Sequence, residues 1–250
     1  MSLSGEDSDN FRSVRIVVPF KFNGAKSRLA PALDPEERRL LAFAMIRDVL
    51  RTASEFGEVT VLSRPGLKAD DIAITGKDIE TAERKFEILE SDLDLNDALN
   101  ELIEKEAIRG WKKDILIVMA DLALLAKNDM AGILNCPGDV ILCPGRGGGT
   151  NMILINSPAF RTCYRGCSFP KHLDFARGAG LEAMVFESFR ASSDIDQPED
   201  LVELLLHGRG EARALLERMG FSIPDEARAL TTGNGPVMLR HDPSDSRIRL

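Results

Sequence analysis

Apolar runs recur along the chain at 15–19, 58–63 (EVTVLS), 86–89 (FEIL), 114–119 (DILIVM), 139–143 (DVILC), 151–156 (NMILIN) and 183–187 (AMVFE). Several are apolar throughout, as strands buried on both faces tend to be. Helical patterns lie between them. The clearest spans 35–54, where Leu40, Leu41, Ala44, Val49 and Ala53 form one stripe. Asp34 is a good N-cap, Pro35 suits the first helical position, and Glu37 completes a capping-box pattern. Segment 95–108 reads as a second helix and 198–207 as a third, again with Pro at its start. Strand–helix alternation predicts an α/β fold with a mostly parallel sheet. The dense strands between 139 and 187 predict some antiparallel pairing. There is no internal repeat and no low-complexity linker. Periodicity fades after 220, so one domain is expected over 14–220, with an N-terminal extension, 1–13, and a C-terminal tail, 221–250. The tail is expected to pack on the body or on a partner subunit.

Composition narrows the function. The 250 residues are 44% hydrophobic, enough for a full core. A net charge of -8 argues against general binding to nucleic acid or anionic membrane. No apolar run approaches a membrane span, and the acidic first dozen residues do not read as a signal peptide. The cysteines, Cys136, Cys143, Cys163 and Cys167, are expected as reduced thiols of a cytoplasmic protein. Cys163 and Cys167 with His172 lack a fourth ligand at zinc-type spacing, so buried structural cysteine is the better reading.

Against that acidic background, residues 10–33 hold five cations and no acid: Arg12, Arg15, Lys21, Lys26 and Arg28. The loop after the first strand presents Lys21, Gly24, Lys26, Ser27 and Arg28, at the strand end where open α/β sheets bind ligands. A polyphosphate fits its size; a solvated charged loop is the plainer alternative. It is neither a P-loop nor a dinucleotide fingerprint.

Asp121 directly follows the apolar run ILIVMA, so it is either a metal ligand facing the crevice or the N-cap of a helix over 122–134. Asp194 and Asp196 share one face of an extended segment, where two carboxylates repel unless a cation lies between them; the alternative is an acidic surface loop. Asp200 fits dipole compensation in the helix that follows. Arg146-Gly147-Gly148-Gly149-Thr150-Asn151 has more glycine than a hairpin turn requires, which suggests backbone lying against a ligand. Ser168 could cap the helix that follows Gly166-Cys167 or bind a phosphate there, while His172 reads first as a satisfied buried histidine. With three histidines and no triad pattern, a Ser-His-Asp reading has little to work with, and if the nucleophile is a phosphate oxygen no general base is required. A phosphate monoester has its second pKa near ~6 and is itself an adequate nucleophile at neutral pH.

Taken in order, AKSRL (25–29), LN (95–96), MADLALL (119–125), GRGGGTNMILI (145–155), SFPKH (168–172) and DIDQPEDL (194–201) resemble the 2-phospho-L-lactate guanylyltransferase family over roughly 14–206. That family makes the side-chain precursor of a deazaflavin coenzyme of methanogenic archaea and actinobacteria. The resemblance implies a three-layer α/β/α sandwich with a mostly parallel mixed sheet, of the nucleotide-diphospho-sugar transferase (GT-A) type. It implies transfer of GMP from GTP to 2-phospho-L-lactate with release of pyrophosphate and dependence on Mg²⁺; some relatives use phosphoenolpyruvate. A homodimer is expected. By position, Lys21, Lys26 and Arg28 would hold the triphosphate, and Leu95 and Asn96 would lie against guanine. Asp121, Asp194 and Asp196 would hold metal, and Thr150, Gly166 and Ser168 would bind the acceptor. Ala123 departs from the family's D-L-P-L-L, and Phe22 and Asn23 vary the loop before AKSRL. The alternatives are the same fold with another acceptor, such as a molybdopterin or sugar-phosphate nucleotidyltransferase, or a non-catalytic nucleotide-sensing module.

Overall fold

Alternation along the strands sorts side chains to the two faces of one sheet. In β1 (Val14–Phe20), Val14, Ile16, Val18 and Phe20 join one apolar cluster while Val17 joins another. The same division holds in β4 (Asp114–Val118) and β6 (Thr150–Ile155), with Leu116, Val118, Met152 and Leu154 on the first face. Ile115, Ile117, Ile153 and Ile155 lie on the second. Helices α1 (Pro35–Ala53) and α3 (Lys127–Leu134) cover the first face, and α2 (Leu95–Ile108) and α4 (Ser168–Gly178) the second. The result is the α/β/α sandwich that the family resemblance implies. The computed structural model describes residues 13–24, 26–74 and 86–223, and the backbone of 239–240. Ala25 and most of the expected N-terminal extension and C-terminal tail lie outside the described residues.

The remaining strands are β2 (Glu58–Ser63), β3 (Phe86–Glu90), β5 (Val140–Pro144) and β7 (Ala183–Val185), and the sheet order is β3-β2-β1-β4-β6-β5-β7. Only β6 runs against its neighbours, pairing antiparallel with both β4 and β5. That reversal brings the start of β6 beside the end of β4, where Met119 N–H donates to Asn151 O at 3.0 Å.

The capping box of α1 is formed: Glu37 N–H donates to Asp34 Oδ1 at 2.8 Å and Asp34 N–H to Glu37 Oε2 at 2.9 Å. The expected third helix is α5 (Asp200–His207), and a further helix, α6 (Glu211–Arg218), was not anticipated from the pattern. Both pack on the outer side of α1 in a third apolar cluster with Leu29, Leu33, Ile195 and Phe221. The carboxylate of Asp48, in α1, accepts from Glu211 N–H at 2.7 Å and Ala212 N–H at 2.9 Å and so caps α6. Regular structure also passes residue 220: β8 (Phe221–Ser222) pairs antiparallel with β9 (Leu239–Arg240). Among the described residues no helix is long and apolar enough to cross a membrane.

Candidate active site

The chain leaves β1 toward β2 and β3 on one side, then returns to place β4 on the other. Such a switch point opens a crevice at the strand C-termini. A cavity of about 580 Å³ lies there, in the usual range for a small-molecule site. Lys21, Gly24 and Lys26 line it from the loop after β1, Asp121 from the loop after β4, and Asp196 from the segment before α5. Toward β2 and β3 it is bounded by Ser63, Arg64, Ser91, Leu93, Leu95 and neighbouring apolar side chains.

Asp121 caps no helix: α3 begins at Lys127, and the intervening turn leaves the carboxylate facing the crevice. Lys26, in a left-handed conformation (φ 59°), reaches across to it. Its Nζ lies 2.6 Å from Asp121 Oδ2 and 3.3 Å from Asp196 Oδ1, and Arg28 Nη1 lies 2.5 Å from Asp196 Oδ2. Burial works to lower the Lys26 pKa, but the two aspartates outweigh it and the ammonium is held above its ordinary value. Burial likewise works against Asp196, yet Lys26 and Arg28 keep its carboxyl below the usual range.

Asp194 is placed by the hairpin. Ile195 is fully buried in the third cluster, so Asp194 and Asp196 turn to the other face. Asn151 Nδ2 donates to Asp194 Oδ1 at 3.1 Å and to Ala191 O at 3.0 Å. Burial, helped by the charge of Asp121, raises the Asp194 pKa despite that bond. The other oxygen of Asp121, Oδ1, is buried with no hydrogen-bond partner among the described residues. A buried, unpaired carboxylate oxygen beside a second carboxyl is a donor set for a hard divalent cation. As the side chains stand, no three metal-ligating residues among those described converge on one point, and Lys26 fills the space between Asp121 and Asp196.

The glycine turn joins β5 to β6. Gly148 has φ +76°, and Gly145 has no room for a Cβ because the Asn151 carboxamide lies against it. Gly148 O accepts from Phe169 N–H at 3.1 Å, so the turn meets the first turn of α4. Thr150 and Ser168 thereby come together, Oγ1 to Oγ 3.1 Å, both nearly buried. Gly166, at φ +60°, turns the chain into that helix. His172 lies beneath, its Nδ1 2.9 Å from Thr150 Oγ1 and its Nε2 accepting from Cys163 N–H at 2.7 Å. Burial holds its pKa down to about 4.

Of the residues expected against a base, Leu95 lines the cavity and Asn96 does not. Asn96 is buried, and its Oδ1 accepts from Tyr164 N–H at 2.5 Å, so its carboxamide is committed to the segment before α4. Asn100, one turn further along α2, grips the same segment through Thr162: Nδ2 donates to its carbonyl at 3.1 Å and Oδ1 accepts its N–H at 2.7 Å. Asp200 closes the aspartate turn by accepting from Asp196 N–H at 2.9 Å and Gln197 N–H at 2.7 Å. The roles of Asn151 and Arg146 were not read from sequence. Arg146 Nη2 donates to Ser193 Oγ at 2.5 Å and ties the glycine turn to the aspartate segment.

A family model described as "Guanylyl transferase CofC like" matches residues 14–232. A 2-phospho-L-lactate guanylyltransferase of Methanothrix thermoacetophila is 53% identical over 212 residues, covering 85% of this chain and 92% of that protein. One of Archaeoglobus fulgidus is 36% identical over 214 residues, covering 85% and 94%. A solved structure from Desulfovibrio desulfuricans G20, described as a nucleotide-diphospho-sugar transferase, superposes with a TM-score of 0.63 at 16% identity, covering 82% of this chain and 94% of that one. This last likeness bears on the fold.

Proposed function

The chain belongs to the CofC-like guanylyl transferase family, and on that premise we propose that it transfers GMP from GTP to 2-phospho-L-lactate, giving lactyl-2-diphospho-5'-guanosine and pyrophosphate. The observation that carries this reading is one cavity that meets cations at Lys21 and Lys26 and carboxylates at Asp121 and Asp196. In the reaction, a phosphate oxygen of the acceptor bonds to the α-phosphorus of GTP, and the bond from that phosphorus to the β-phosphate bridge breaks. The nucleophile is already an anion, so no base is needed and the protein's part is positioning and charge. Lys21, Lys26 and Arg28 are assigned to the triphosphate and Leu95 to the face of the base. Thr150, Ser168 and the Gly166 turn are assigned to the acceptor.

Asp121, Asp194 and Asp196 are the residues that would hold Mg²⁺. The ion would supply charge neutralisation at the phosphates. For Asp121 and Asp196 to serve, Lys26 must leave them, and the incoming triphosphate gives its ammonium another anionic partner. Pyrophosphate release tests the reading, with each nucleoside triphosphate offered against 2-phospholactate, phosphoenolpyruvate and 3-phosphoglycerate. Release is expected with GTP and 2-phospholactate. Equal turnover of ATP or CTP would overturn the assignment of the nucleotide, and faster turnover with another acid would overturn that of the acceptor.

A further inference from the structure

The reaction as described makes no use of His172, an enclosed titratable ring beneath the Thr150–Ser168 pair. It is fully buried, with the Tyr164 ring edge-on at 5.0 Å and Phe160 at 5.9 Å. A backbone N–H can only donate, so the contact from Cys163 N–H fixes Nε2 as an acceptor without hydrogen. Burial keeps the ring neutral. Its one hydrogen therefore sits on Nδ1 and is donated to Thr150 Oγ1.

The consequence follows from counting hydrogens. Thr150 and Ser168 carry one hydroxyl hydrogen each, and the bond between them uses one. With Nδ1 as donor, Thr150 receives a hydrogen from the ring and the second hydroxyl hydrogen remains available to a ligand. With the opposite tautomer, Thr150 would donate into the ring, Ser168 would donate to Thr150, and only lone pairs would face an incoming anion.

We propose that His172 is a positioning residue: by donating from Nδ1 to Thr150 it frees one hydroxyl hydrogen of the Thr150–Ser168 pair for the anionic acceptor. This rests on the reading that the pair meets the acceptor. The Cys163 contact sets the tautomer, and the Asn96 and Asn100 bonds to the adjoining residues hold Cys163 where it can do so.

The first test is long-range ¹H–¹⁵N correlation on the wild-type protein, with the His172 signals identified by their loss in His172→Asn. Hydrogen on Nδ1 is expected; hydrogen on Nε2 overturns the proposal. The second test is kinetic. His172→Asn can place an amide nitrogen where Nδ1 lies, whereas His172→Gln places its amide toward Nε2. His172→Gln should raise the acceptor KM about tenfold or more, the scale of one hydrogen bond to a charged group, with GTP KM unchanged. His172→Asn should recover most of that loss. Equal acceptor KM in the two variants, or a parallel rise in GTP KM, overturns the proposal. Thr150→Val separates the two levels: unaltered acceptor kinetics would remove the acceptor assignment itself. A raised acceptor KM together with an Nε2–H ring would remove only the part given to His172.

Discussion

Acidifying the protein tests the buried imidazole through stability alone. Free imidazole titrates near 6.5, and burial holds His172 at about 4. Below about 6.5 the unfolded chain takes up a proton that the folded chain refuses until about 4. The stability that this ring contributes is thus whole above the unfolded value and is lost as pH falls toward the folded one. Each decade of pH within that window costs about 1.4 kcal/mol, so the step from about pH 7 to about pH 4.5 should cost about 2 kcal/mol. In a chain of 250 residues that corresponds to roughly 4–8 °C of Tm. Asp48 and Asp194 act in the opposite sense: burial raises both carboxyls, so each adds stability as pH falls through its own range. The comparison must therefore be between proteins. Thermal melts of wild type and His172→Asn at both pH values isolate the ring, because the variant keeps every other group. The wild-type Tm should fall further than the variant's by that margin. Parallel losses, or a steeper loss in the variant, would refute the argument that the ring is enclosed and neutral.

Two substitutions probe the cation-rich side and the hairpin. Lys26→Met removes the ammonium between Asp121 and Asp196; nucleotide-free protein should then take up Mn²⁺ more tightly by electron paramagnetic resonance, while GTP KM rises about tenfold or more. Unchanged Mn²⁺ affinity would mean that Lys26 does not compete for those carboxylates. Gly145→Ala presses a methyl group on the Asn151 carboxamide, which is tied to Ala191 and Asp194; a loss of about 2 kcal/mol is expected, read as several degrees of Tm, with turnover falling as Asp194 shifts. A variant with wild-type Tm and activity would show that Asn151 moves freely.

The strands were legible because each is a short, largely apolar run and several are apolar throughout, and α1 because its cap residues sit at the spacing the backbone requires. The same-face reading of Asp194 and Asp196 follows from strand periodicity, and the structure adds that Ile195 is the anchor between them. The order of the strands was not legible, since nothing local says that β6 inserts between β4 and β5. The surroundings of Asn96 were not legible for a related reason. The family resemblance put it with Leu95 against guanine, but neighbouring helical residues project about a quarter-turn apart, and only the fold shows Tyr164 waiting on that side. Helix α6 is short and draws its hold from Asp48, far away in sequence. The charge excess of the first loop was visible, but its engagement with Asp121 and Asp196 joins residues 95 and 170 positions apart and needs coordinates.

Asn96 and Asn100 lie one turn apart on α2, on the side that grips residues 162–164, while Leu95 at the head of the same helix faces the cavity. A single rod thus borders the cavity at its head and holds residues 162–164 along its side, and the separation of the two is set by helical pitch rather than by loop length. Any tilt imposed at one mount is delivered to the other. On the proposed assignment of the two substrates, a bulkier acceptor is accommodated by rebuilding the stretch between β6 and α4, because shifting the rod would also move Leu95 at the cavity wall.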